Sequence, residues 1–208
     1  MNSERRASRV EIFTHLRRLL GEEAVSLAQE VAILATSGNT SQALEILRSY
    51  DRELGGIASE FTEEKGPGVY RPICYVYYLC FSPTPHHFGR QIIISACAYL
   101  EELLKRMVTV GILGLGIPVR RFPLGKLVKK LRQRLAGKIP KYLLDELDWL
   151  AQGVYNFAKH QYNFDDWEEP PEHYFGLDEA IAVYLIVRKL GLELESLSGI
   201  PERTLLRE

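Results

Sequence analysis

Apolar residues return at helical spacing along most of the chain. Between residues 8 and 20, Val10, Phe13, Leu16, Leu19 and Leu20 share one face, and Gly21 supplies a stop. Glu22–Thr36 is apolar on most sides, which predicts a buried helix ended by Ser37-Gly38. Asn39 and Gln42 have capping-box spacing and open a third helix that reaches Leu54 before Gly55-Gly56. Thr62–Gly68 is polar, ends in Gly-Pro-Gly and reads as a loop. The run Ile73–Phe81 is continuously apolar, and its aromatic and β-branched content suits a strand or a buried helix equally.

After Pro83 and Pro85 the periodicity is stronger. Ile93, Ala96, Cys97, Leu100, Leu103, Leu104 and Met107 predict a long helix from His86 to Val110. A glycine-rich connector leads to a helix over Pro123–Ala136, followed by Gly137. Pro140 starts the next helix, which reaches Asn163. An acidic loop, Asp165–Gly176, precedes the last helix, Leu177–Leu190, closed by Gly191, and the residues after Ser196 read as a frayed tail. The pattern predicts an all-α fold: an N-terminal helical extension over 1–68, a helical bundle over 69–192 and a tail over 193–208.

The helix at 140–163 is two-faced. Leu143, Leu147, Leu150, Ala151, Val154, Phe157 and Ala158 fall on one side, a core stripe. Asp145, Gln152, Asn156, Lys159 and Asn163 fall on the other, with Trp149 and His160 at its edge. That polar side has few of the Glu–Lys pairs of an ordinary solvated face. A neutral imidazole at His160 can accept a proton, and Lys159 can stabilise a phosphate charge. The plain alternative is a surface histidine near a helix C-terminus, where the dipole favours its cation.

Charge changes the picture locally. The chain of 208 residues carries 26 Lys+Arg against 27 Asp+Glu, so net charge gives no attraction to a polyanion. From Arg120 to Lys141, however, every charged residue is basic, and Lys126, Lys130 and Arg134 share a face by i+4 steps with Lys129 and Arg132 beside it. This patch suits a nucleic-acid backbone. A solvated amphipathic helix is the plain reading. The acidic residues Asp165, Asp166, Glu168, Glu169 and Glu172 offer a rival partner within the chain. Cys74, Cys80 and Cys97 are odd in number with no CxxC spacing and read as buried thiols in a reducing compartment. His86-His87 point roughly 100° apart on a helix, a poor chelate, so no metal and no cofactor is expected. The N-terminus lacks the apolar stretch of a secretory signal, and the longest apolar runs are too short to span a bilayer. A cytoplasmic protein without membrane contact is the expectation.

Three segments carry a family resemblance. Ile94–Lys105 looks like an early helix in which an acidic residue follows a small-residue packing face. Pro123–Leu131 looks like an "LGxLIxxL" helix. Leu147–His160 ends in Tyr155-Asn-Phe-Ala-Lys-His160 and is followed by Gly176–Leu190 as a closing helix. Over residues 86–192 the chain thereby resembles the HEPN superfamily of helical domains from prokaryotic toxin, antiviral and nucleotide-associated systems. The resemblance implies an antiparallel helical bundle, a homodimer, and metal-independent RNA cleavage by an Arg, polar, His motif shared across the dimer. Asn156 takes the polar position and His160 that of the histidine, while Tyr155 replaces the arginine. No arginine lies between Arg134 and Arg188 to restore it, and Lys159 lacks the bidentate fork.

The resulting expectation is an RNA-associated protein of a defence or toxin–antitoxin setting, with a degraded ribonuclease motif at Asn156, Lys159 and His160. Lys126, Lys129, Lys130, Arg132 and Arg134 would contact RNA, and a further protein partner is open. The alternative is a non-catalytic homodimer joined through 143–163 and 73–81. A living ribonuclease using Lys159 and His160 is the third reading.

Overall fold

The computed structural model describes residues 6–56, 85–109, 119, 121–134, 139–160 and 175–198, and these are all-α. The helices are α1 (Arg9–Leu20), α2 (Glu22–Thr36), α3 (Thr40–Glu53), α4 (Pro85–Thr109), α5 (Leu124–Arg134), α6 (Lys141–Trp149), α7 (Asn156–His160) and α8 (Leu177–Ser198). A π turn, Leu150–Tyr155, joins α6 to α7 in one continuous rod. The uncertain run 73–81 lies outside the described residues, as do Cys74, Cys80 and the acidic residues Asp165, Asp166, Glu168, Glu169 and Glu172.

Local chemistry explains most boundaries. Ser8 opens α1 with a reciprocal capping box: its hydroxyl accepts from the Glu11 N–H, and its own N–H donates to the Glu11 carboxylate at 2.7 Å. Gly21 and Gly55 sit at φ 84° and 87°, a region that favours glycine, where α1 and α3 give way to the next segment. The capping box expected at Asn39 does not form; its side chain donates to Ser37 Oγ at 3.4 Å. Val10, expected in the core, is 76% exposed, and Ile12 and Phe13 turn inward with Leu16 instead. α2 likewise buries one face only, with Ile33 66% exposed.

The core is built around α8. Every residue from Glu179 to Arg188 is buried, because α4 packs along one side of the helix and α1 and α2 along others. A helix apolar all round is what such a central position demands. Gly191 does not end it. It lies inside α8, where a Cβ would meet the Tyr99 ring at 3.3 Å, so glycine here permits the close approach of α4 rather than a stop.

An ion pair sits within this core. Arg188 is 1% and Asp51 2% exposed, and Arg188 Nε donates to Asp51 Oδ1 at 2.6 Å, tying α3 to α8. Arg188 Nη1 also donates to Tyr99 Oη at 3.3 Å. Gly56 passes beside the pair, leaving no room for a Cβ, which would stand 2.6 Å from Arg188 Nη2.

The N-terminal segment closes against the rod. Ala7 N–H donates to the Gly153 carbonyl of the π turn at 2.8 Å, and Arg6 donates both bonds of its Nη2 to Glu179 at 2.8 Å. In the π turn the Asn156 N–H reaches back to the Ala151 carbonyl. No helix among the described residues is long and apolar enough to cross a membrane.

Candidate nucleic-acid interface

The apolar stripe of the rod is buried as the periodicity predicts: Leu143, Leu147, Leu150, Ala151, Val154, Phe157 and Ala158 are all in the core. On the other side, Asp145 and Gln152 are exposed while Trp149, Asn156 and Lys159 are half-buried. His160 is the last residue of α7; its side chain, and Asn163, lie outside the described residues. The π turn buries Tyr155 as well as Val154, so the position aligned with the motif arginine faces the interior.

Lys159 is drawn into a cluster with Tyr155 and Glu101. Its Nζ lies 4.0 Å from the centre of the Tyr155 ring and 3.9 Å from Glu101 Oε2. Glu101 Oε1 takes Lys105 Nζ at 2.6 Å, and Oε2 accepts the Leu124 N–H at 3.0 Å. One carboxylate on α4 therefore caps the first turn of α5 and holds two lysines. Burial, with Glu101 nearby, pushes the Tyr155 hydroxyl up, so it remains neutral. Burial likewise raises the Cys97 thiol above its ordinary range, with Lys159 opposing. On the same flank, Arg90 Nε on α4 donates to the Ala158 carbonyl at 2.8 Å, near the end of α7.

The basic residues of α5 divide into two groups. Leu124, Leu127, Val128 and Leu131 are buried, which turns Lys126 and Lys129 to solvent and leaves Lys130 half-buried. Lys126 covers the Phe122 ring at 4.4 Å, and Lys130 donates to Gln133 Oε1 at 3.4 Å. Among the described residues no carboxylate pairs with Lys126, Lys129 or Lys130. Arg132 is different. Its guanidinium turns onto α6, with Nη1 2.7 Å from Asp145 Oδ1, Nη2 3.8 Å from Asp148 and 3.0 Å from the Leu144 carbonyl. Arg134 is exposed at the end of the helix.

Sequence reasoning did not find a second polar cluster, His15, Arg18 and Glu146. Glu146 is buried on α6, with His15 Nδ1 2.6 Å from its Oε2 and Arg18 on its Oε1, while the His15 ring stacks on Trp149 at 3.6 Å. The partners are 131 and 128 positions apart, and no local pattern announces them; the signal was only that Glu146 interrupts an otherwise apolar flank. No family model, curated protein or solved structure matches the chain.

Proposed function

We propose that the protein associates with RNA through the exposed basic face of α5, on a HEPN-like bundle whose nuclease motif has lost its arginine. The observation that carries this reading is the row Lys126, Lys129 and Lys130, three cations at i+3 and i+4 spacing without a carboxylate partner among the described residues. Burial of four apolar side chains on the opposite face turns Lys126 and Lys129 to solvent, with Lys130 half-buried beside them. Like charges at this spacing repel, and a polyanion that spans them relieves the repulsion while releasing its own counterions. α5 is also held at both ends, by Glu101 at its first turn and by Arg132 on α6.

Binding, rather than cleavage, is favoured by the surroundings of Lys159. Its charge is shared between Glu101 and the Tyr155 ring, and the arginine position is a buried tyrosine. The test is fluorescence anisotropy with a labelled single-stranded RNA, comparing the parent with a Lys126→Glu, Lys129→Glu, Lys130→Glu variant. Loss of binding in the variant is expected, and undiminished binding refutes the assignment to α5. RNA cleavage that persists in EDTA and disappears in His160→Ala would instead identify an active ribonuclease.

A further inference from the structure

A cleft opens between α1, α6 and α8, lined by His15, Arg18, Tyr142, Glu146, Lys189 and Glu193 among others, with a volume of about 570 Å³. That is the size of small-molecule sites, roughly 300–1,000 Å³. Formal charges in it are Arg18 and Lys189 against Asp145, Glu146 and Glu193, and each of the three carboxylates is already paired with a cation. Both oxygens of Glu146 are engaged, by Arg18 and His15, and the side chain is 4% exposed. Both oxygens of Glu193 are engaged, one by Lys189 Nζ at 3.3 Å and one by Tyr142 Oη at 2.9 Å. Asp145, at the rim, is held by Arg132.

The cations retain donors. An ammonium has three N–H bonds and a guanidinium five. Lys189 uses one toward Glu193, and Arg18 donates to Glu146 through Nη2, which also lies 2.8 Å from His15 Nδ1, so its Nε and Nη1 have no partner among the described residues. His15 adds a third group. With Nδ1–H committed to Glu146, Nε2 has no partner among the described residues. Neutral, it accepts from a protonated oxyanion; as imidazolium, it donates to an ionised one. Stacking on Trp149 fixes the plane of the ring.

We propose that this cleft binds a small oxyanion, the phosphate or carboxylate group of a ligand, through Arg18, Lys189 and the Nε2 edge of His15. The site is separate from the basic face of α5, and the proposal does not depend on RNA binding. The experiment titrates the full chain with inorganic phosphate and, separately, with acetate, at ionic strength held constant with chloride. His15 is followed by long-range proton–nitrogen NMR of the ring, and affinity by calorimetry. A saturable shift of His15 is expected, with a dissociation constant of about 1 mM. Each of Arg18→Gln and Lys189→Gln should weaken it by about tenfold, the effect of one charge-assisted bond.

Saturation by phosphate alone assigns a phosphate ligand, and saturation by acetate alone a carboxylate. A His15 resonance unmoved by either overturns the proposal, as does an equal response in the Arg18→Gln, Lys189→Gln double variant. Should Arg18→Gln unfold because it also releases Glu146, Lys189→Gln decides alone, since its ammonium is partly exposed and leaves the His15–Glu146 contact intact.

Discussion

Removing the carboxylate of Asp51 should be among the most damaging single changes in the described part of the chain. Asp51 and Arg188 are each at least 98% removed from solvent, so their attraction acts in a medium of low polarity and neither charge has bulk water to fall back on. Asp51→Ala deletes the carboxylate 2.6 Å from Arg188 Nε and leaves the guanidinium charge in the core of α8, with Tyr99 Oη as a neutral neighbour. Breaking a buried pair in this way costs about 3–5 kcal/mol. For a chain of this length each kcal/mol moves the melting temperature by about 2–4 °C, so a fall of about 6–20 °C is expected. Urea unfolding followed by circular dichroism measures the free energy directly, and a thermal melt checks the shift. Replacing both partners, Asp51→Leu with Arg188→Met, should recover most of the loss, because the cost lies in a buried charge that has lost its 2.6 Å carboxylate. A loss below about 1 kcal/mol for Asp51→Ala, or a double variant no better than the single, refutes the reasoning.

Three further outcomes follow from the same contacts. Glu101→Ala removes the acceptor for the Leu124 N–H and the carboxylate shared by Lys105 and Lys159, and should destabilise the chain by about 1–2 kcal/mol in chemical denaturation. Glu101→Gln retains an acceptor oxygen and should lose less. Cys97 is fully buried with its thiol raised, so the thiolate is scarce at neutral pH; alkylation followed by peptide mass spectrometry should leave Cys97 unmodified in the native protein and label it in urea. Arg132→Ala breaks a half-exposed contact with Asp145 and should cost less than about 1 kcal/mol, while leaving the salt dependence of RNA binding unchanged, because its guanidinium faces α6.

The helices were legible because their core stripes repeat within a few residues. The positions from Ile93 to Met107 and from Leu143 to Ala158 that periodicity placed inside are inside. Punctuation by glycine was less informative. Gly21 and Gly55 mark turns, whereas Gly191 lies within a helix for the sake of the neighbouring Tyr99 ring, and the same letter serves both purposes. Val10 keeps helical spacing with the core of α1 yet faces solvent, since the true stripe runs through Ile12, Phe13 and Leu16. The basic residues of α5 could be read as a group, but not the diversion of Arg132 onto α6, which depends on how two helices pack. Asp51 with Arg188 and His15 with Glu146 were beyond reach for the same reason: each pair joins residues more than a hundred positions apart.

The most direct test of the proposed function is the salt dependence of single-stranded RNA binding by the intact protein. Three phosphate contacts from Lys126, Lys129 and Lys130 predict that the logarithm of the binding constant falls with the logarithm of salt at a slope of about −2. Each lysine replaced by alanine should make that slope shallower by about 0.7. A slope near zero, or one that the lysine substitutions leave unchanged, contradicts the assignment of RNA binding to this helix.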